Sequence, residues 1–478
     1  MNKEITLAIC GSVDSGKSTL IGTILSGKLD DGNGLNRKIV AAHNHEISSG
    51  KTSSISVHSM KNFMKKDKSI IMIDLCGHEK YLKTTLFGIM GYYPDYAVLI
   101  ISANRGILKM TREHIKILYH LKIPIIIALT KTDIVDQLYI DKLELISNLE
   151  QIINDIKKIF IKGNYNVIDM NELIETNNSI YEIIPNQNII PLFKLSCKSG
   201  YGLDYFKNYI SELPRIINIK LCNNFTDKIQ KSLSTSLSTS LSTSLSTSLA
   251  ENSVTDNNFI FYIDAIYNPT GIGWVVTGIL KCASEDVCLT TGSTLFIGPT
   301  TITNTYNKSK SIKSLKLIKS NKLISYEQIQ VKVWSIYNYY NEKIDKLECG
   351  QRGCLAIRAD KKLSRDIFRK GSILTNNIKI VNLASFTFKA RIKLLNHPTN
   401  VKDNFSPVIH SGTIRQAAKI TIISKEININ NDNNDNKCIY PGDIAIIEIN
   451  FLFRPEIIES NQLFFLREGL TLGIGTFL

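Results

Sequence analysis

The chain has 478 residues, 43% hydrophobic and 21% charged, with a formal net charge of +14 and a pI near 9.1. At about 150 residues per domain this is length for roughly three domains, and the composition excludes a disordered or fibrous polypeptide. The basic excess points to a polyanionic partner, most simply RNA, while nine scattered cysteines without CxxC spacing exclude a disulfide framework or a thiol-based metal site and argue for reduced thiols.

The first residues, "MNKEITLAIC", carry no long apolar stretch and no small-residue cleavage site. No run of 18 apolar residues follows anywhere, so no membrane span and a cytoplasmic location are expected. "EITLAICGSVDSGKSTLIGTIL" reads as strand, glycine-bounded loop and helix. Within it Gly11-Ser12-Val13-Asp14-Ser15-Gly16-Lys17-Ser18-Thr19 contains G-x-x-x-x-G-K-[ST], between a strand and a helix as a phosphate-binding loop requires. Backbone N–H groups of such a loop surround the β-phosphate. Gly11 and Gly16 permit the close approach, Lys17 brings a positive charge to the β- and γ-phosphates, and Ser18 offers a hydroxyl to Mg²⁺.

A second apolar strand runs into Asp74-Leu75-Cys76-Gly77-His78. Asp74 is placed to hold Mg²⁺ through water, Gly77 to bring a backbone N–H to the γ-phosphate, and His78 to position or polarise an attacking water. "DYAVLIISAN" is a third strand, residues 111–121 read as a helix, and "IPIIIALTKTD" is a fourth strand with its loop. A strand ending in Asn-Lys-x-Asp would read guanine; here the loop is Thr130-Lys131-Thr132-Asp133. The Asp133 carboxylate can accept from guanine N1–H and the 2-amino group, donors that adenine lacks. Lys131 can lay its alkyl stem on the purine. A late strand ends in Ser196-Cys197-Lys198, 63 positions beyond Asp133, and in a doubly wound sheet both loops would reach the same ligand-binding edge.

The apolar strands alternate with helices, which predicts a mostly parallel doubly wound sheet over residues 1–225. Residues 233–248 are four copies of LSTS, so 226–257 is expected to be a low-complexity linker. Short strands with glycine turns then predict two β-barrel domains, 258–380 and 381–478, with 428–437 as a loop insertion. The remaining histidines, His43, His45 and His114 among them, have no metal-like arrangement.

These motifs, in this order, resemble those of the translation-factor GTPases such as elongation factor Tu and elongation factor one-alpha. Within that class "HNHEISSGKTSS", "DLCGHEKYLKTTLFGIMG", "TKTD", "NHPT", "IHSGTIRQAA" and "LREGLTLGIGT" are similar to the subfamily of GTP-binding proteins one and two. The resemblance implies a P-loop GTPase domain followed by two β-barrels. It assigns Thr52 to the first switch as a second Mg²⁺ ligand, and Ser196-Cys197-Lys198 to the loop that offers a backbone N–H to guanine O6. It also implies a monomeric protein that binds GTP and GDP, hydrolyses GTP with Mg²⁺, and acts on tRNA and the ribosome. The alternative is a GTP-gated adaptor for RNA or RNA-decay factors with little turnover. The sequence departs from the family's pattern at Ser12 and Ser15, where two histidines are usual, and at Cys76, where proline is usual. It departs again at Lys51, where an apolar gate residue is usual, and at Thr130 in the base loop, where the subfamily also carries threonine.

Overall fold

The computed structural model describes residues 4–41, 52, 54–65, 68–133, 142–161, 163–176, 183–186, 188–216, 257–284, 286–299, 329–359, 369–427, 438–469 and 471–478. His43, His45, Lys51, the LSTS tract and residues 428–437 lie outside them. The chain divides into two units, Met1–Ile217 and Asn218–Leu478.

The first unit is built on a seven-stranded sheet. In chain order it runs β1 (Glu4–Gly11), α1 (Lys17–Ser26), α2 (Leu35–Val40), β2 (Ser56–Met60), β3 (Ser69–Asp74), β4 (Tyr96–Ser102), β5 (Ile125–Thr130), β6 (Asn166–Asp169) and β7 (Ile189–Lys194). Further helices are Leu82–Gly91, Lys109–Leu121, Lys142–Ile161, Met170–Thr176 and Leu203–Glu212. The strand order is β2-β3-β1-β4-β5-β7-β6, with β2 antiparallel to β3 at one edge and every other pairing parallel. Every residue of β1, β4 and β5 is buried, as expected of central strands covered on both faces. Their β-branched runs therefore carry no polar alternation, and one core gathers Ile5, Leu7 and Ile9 with Leu20 and Ile21 of α1 and Phe206 of the last helix. Strands β1, β3, β5 and β7 are parallel neighbours or near neighbours, so the loops after their C-terminal ends emerge along one edge of the sheet.

The second unit holds two closed six-stranded barrels. In the first ring Thr294–Gly298, Ile373–Thr375, Phe259–Tyr267, Trp274–Cys282, Arg352–Arg358 and Ile329–Asn338 are successive neighbours, and Ile329–Asn338 pairs back to Thr294–Gly298. Along Ile329–Asn338 burial alternates with period two, which puts Ile329, Val331 and Val333 in the barrel interior. The second ring runs Thr387–Asn396, Ile444–Phe451, Ile414–Ile427, Val408–Ser411, Leu463–Glu468 and Thr471–Phe477, which pairs back to Thr387–Asn396. Closure leaves neither ring an open edge. On this connectivity we propose the domain division near residue 380. Buried polar contacts join the rings: the Tyr262 phenol donates to the Glu459 carboxylate, and Arg369 donates to Glu456 at 2.8 Å.

Candidate functional site

The loop after β1 is shaped by backbone geometry. Gly16 stands at φ +94° and leads into α1, and its neighbour Asp14 takes a positive φ of 59°. Ser15, buried, donates its hydroxyl to the Ser12 carbonyl at 2.9 Å. The two serines that depart from the family's histidines thus brace the loop internally. Lys17 is also buried, and its ammonium donates to the same carbonyl at 2.7 Å. Burial lowers its pKa, while the carboxylate of Asp74 opposes that shift.

The loop after β3 closes on the first one. A Cβ on Gly77 would stand 2.6 Å from Lys17 Nζ and 2.7 Å from the Ser12 carbonyl carbon, so only glycine fits there. Cys76 is buried, and its carbonyl accepts from Thr85 Oγ1 at 2.7 Å, tying this loop to helix Leu82–Gly91. Leu75 is held by its N–H to the Ile9 carbonyl at 3.3 Å. Ser18 Oγ donates to Asp74 Oδ2 at 2.6 Å and lies 3.2 Å from Thr52 Oγ1, which is itself 3.5 Å from Asp74 Oδ2. Two hydroxyls and a carboxylate therefore meet at one point beside the phosphate loop. These hard oxygens fit Mg²⁺, which uses few protein ligands and keeps water and phosphate oxygens in its shell.

His78 is exposed on this loop and lines a cavity with Val13, Lys17, Thr52 and Gly77. Its Nδ1 accepts from the Lys80 N–H at 3.1 Å. The neutral ring then carries its proton on Nε2, which makes the free side of the imidazole a donor.

The base-side loops are joined to each other and to the phosphate loop. Thr130, 2% exposed, donates its hydroxyl to the Ser15 carbonyl at 2.6 Å. Lys131 takes a positive φ of 61°. Burial lowers the pKa of its ammonium, against the pull of Asp14. Thr132 bonds to the Leu195 carbonyl through both N–H and hydroxyl, at 3.4 and 3.3 Å. The Ser196 hydroxyl donates to Asp133 Oδ1 at 2.6 Å and accepts the N–H groups of Lys198 and Ser199. That leaves the Asp133 carboxylate oriented by its neighbour loop, on the wall of a cavity of about 410 Å³ shared with Cys197 and Lys198. This cavity adjoins the phosphate-side one, of about 90 Å³, and Gly16, Thr19, Arg37 and Lys131 line both.

All the residues singled out in the four loops thus come together along one sheet edge. Three others escape sequence reasoning. His114, in helix Lys109–Leu121 and 0% exposed, accepts the Gly11 N–H on Nδ1 at 3.1 Å. Burial, with Lys17 nearby, pushes its pKa down to about 3. Asp30 is buried and gathers backbone N–H groups of the turn before α2. Arg37, on α2, lines both cavities. The only sequence signal for this region is the Asp-Asp-Gly-Asn-Gly turn at residues 30–34.

The family model of the elongation factor Tu GTP binding domain matches residues 2–245, and that of the elongation factor Tu C-terminal domain matches residues 383–478. GTP-binding protein 1 of Xenopus laevis is 28% identical over 499 residues, covering 99% of this chain and 63% of the relative, so the chain spans less than two thirds of that protein. GTP-binding protein 2 of Homo sapiens is 28% identical over 492 residues, covering 99% of this chain and 68% of the relative. Translation elongation factor SelB from Methanococcus maripaludis, solved in complex with the GTP analogue GPPNHP, matches with a TM-score of 0.56 at 18% identity, over 100% of this chain and 79% of that one. At that identity the likeness is one of fold.

Proposed function

Because this chain belongs to the elongation factor Tu family of translation-factor GTPases, we propose that it binds GTP and GDP and hydrolyses GTP to GDP and phosphate, as an elongation-factor-like switch acting on tRNA and the ribosome. The observation that carries the reading is the meeting of Ser18, Thr52 and Asp74 oxygens beside the buried Lys17. Ser18 and Thr52 would hold Mg²⁺ directly and Asp74 through water; the ion, when bound, neutralises charge on the β- and γ-phosphates. Lys17 would exchange the Ser12 carbonyl for phosphate oxygens, and the loop amides would cradle the β-phosphate. Gly77, already packed on the phosphate loop, would offer its backbone N–H to the γ-phosphate. His78, whose Nδ1 accepts the Lys80 N–H, would turn Nε2 toward the attacking water and orient it. Asp133, set by Ser196, would read guanine, with Lys131 along the purine and the loop at Ser196, Cys197 and Lys198 at its O6. The formal charge of +14 supports an RNA partner.

Single-turnover GTP hydrolysis, with and without ribosomes and aminoacyl-tRNA, tests this reading. Strong stimulation is expected, and His78→Ala should lower the rate by roughly two orders of magnitude while sparing GTP affinity. Equal turnover in variant and wild type would remove His78 from the mechanism. GTP-dependent RNA binding without any stimulation would replace the elongation-factor role by that of an RNA adaptor.

A further inference from the structure

The turn between α1 and α2 is built to hold one cation in a fixed place. α1 ends at Gly27, which caps it in the left-handed region. The Asp30 carboxylate then accepts the N–H groups of Gly32 and Gly34 on Oδ2, at 3.0 and 3.4 Å, and that of Asn36 on Oδ1 at 2.9 Å. A buried carboxylate with three backbone donors is well satisfied and shapes the turn around itself. The Asn36 side chain donates to Thr23 Oγ1 at 3.1 Å and to the Lys28 carbonyl at 2.8 Å. A Cβ on Gly22 would lie 2.0 Å from the Asn36 carbonyl oxygen, so α1 and α2 touch backbone to backbone. The turn is also tied to the base-side loop, through the Asp30 N–H to the Cys197 carbonyl at 2.9 Å. Arg37 follows the pinned Asn36 directly, so its Cα position is set by packing and not by a free loop.

The side chain it presents has nothing to pair with in the described structure. Arg37 is half-buried; its Nε is shielded from solvent and has no hydrogen-bond partner among the described residues. The carboxylates that line these cavities with it are engaged elsewhere: Asp30 by backbone amides, Asp133 by Ser196, and Asp14 with Arg105 at 3.6 Å. With Lys17, Lys131 and Lys198, Arg37 makes a set of four cations around the joined cavities. Such convergence of like charge in a partly desolvated cleft favours a polyanion.

The position of Arg37 says which part of the ligand it meets. On one side of it stand Lys17, Ser18 and Gly77; on the other stand Asp133, Cys197 and Lys198. In a guanine nucleotide the parts between the terminal phosphates and the base are the ribose and the α-phosphate, and only the α-phosphate is anionic. We propose that Arg37 is a nucleotide ligand that binds the α-phosphate where the two cavities meet, and so holds GTP and GDP alike. This rests on the nucleotide-site reading above and adds a contact that the four loops do not contain. A guanidinium suits the place because its planar fork spans two non-bridging oxygens, which a lysine does as a single point charge.

The test uses the full chain and measures affinity for fluorescent GDP and for a non-hydrolysable GTP analogue. Arg37→Ala should weaken both by roughly 10- to 100-fold, a range set by the usual strength of a charge-assisted hydrogen bond. Arg37→Lys should fall between it and wild type, and the melting temperature of nucleotide-free Arg37→Ala should match that of wild type. Undiminished GDP affinity in Arg37→Ala, with wild type binding normally, overturns the assignment and leaves the nucleotide site standing. So does a loss confined to the GTP analogue, which would put the guanidinium at the γ-phosphate. A loss matched by a lower nucleotide-free melting temperature overturns it as well, since Arg37 would then act on folding. If wild type itself binds neither nucleotide, the nucleotide-site reading fails first.

Discussion

The Thr130 hydroxyl donates to the Ser15 carbonyl at 2.6 Å, spanning 115 residues to join the base loop to the phosphate loop. The Thr130 position, where the common motif has asparagine, therefore still carries a brace. The two loops are close enough for a short side chain to serve: a Cβ on Gly16 would lie 3.5 Å from Thr130 Oγ1. Thr130→Val keeps the shape and removes the donor, leaving a buried carbonyl unpaired at a cost of about 1–2 kcal/mol. GTP and GDP affinity should each fall by roughly tenfold, with guanine-over-adenine preference intact. Nucleotide titration of the variant checks this; unchanged affinities would mean the brace does not shape the site.

Ser196 sets the orientation of Asp133, and the carboxylate has to be an acceptor on the side facing the cavity. Asp133→Asn replaces one acceptor oxygen by a donor, which opposes the guanine N1–H and 2-amino group. GTP-over-ATP preference should drop by about two orders of magnitude or more. Xanthosine triphosphate, with a carbonyl in place of the 2-amino group, should gain. Competition of the three nucleotides against labelled GDP measures it, and a preserved guanine preference would place the base elsewhere.

How much of this was readable beforehand depended on the distance between partners. Strands β1, β3, β4, β5 and β7 announce themselves because each is an apolar run buried on both faces or nearly so. β2, "SVHSM", and β6, "NVID", do not: they are short, partly exposed edge strands whose composition says little. The four site loops were readable because each confines its chemistry to a few consecutive residues. His114, Asp30 and Arg37 were not. The value of His114 lies in an N–H 103 residues away, and that of Asp30 in burial by its own turn. Periodicity reports which face of an element is buried, but not which distant group it meets there.

His114 supplies a third prediction. Its Nδ1 receives the Gly11 N–H, the first peptide of the phosphate loop. His114→Leu should leave that N–H buried and unpaired and weaken nucleotide binding by roughly tenfold. His114→Asn, whose side-chain oxygen falls near the same place, should recover much of it. The ring also makes the first unit acid-sensitive. Its pKa is about 3 in the fold against 6.5 unfolded, so its stabilising share is complete above pH 6.5 and is lost as pH falls toward 3. Urea denaturation of the first unit at pH 7 and pH 5 should show this loss in wild type and less of it in His114→Asn. Identical pH dependence in the two would exclude the ring as its source.

Glu459 has the opposite sign. It is 3% exposed between the barrels, accepts from the Tyr262 phenol, and has Lys281 nearby. Burial pushes its pKa up to about 7 from an unfolded value of 4.5, although Lys281 and the Tyr262 bond pull it down. Between those values the unfolded chain has released this proton while the folded one keeps it. Stability therefore declines as pH rises from 4.5 to about 7 and is level above that, the loss reaching about 3 kcal/mol for this one carboxyl. Glu456, also raised by burial against its bond to Arg369, adds a decline of the same direction. Glu459→Gln keeps an amide that can accept from Tyr262 and carries no charge. It should be more stable than wild type at pH 8, match it near pH 4.5, and show a shallower decline between. Denaturation of the second unit followed across that range decides the point: parallel curves for variant and wild type would show that Glu459 is not the titrating group.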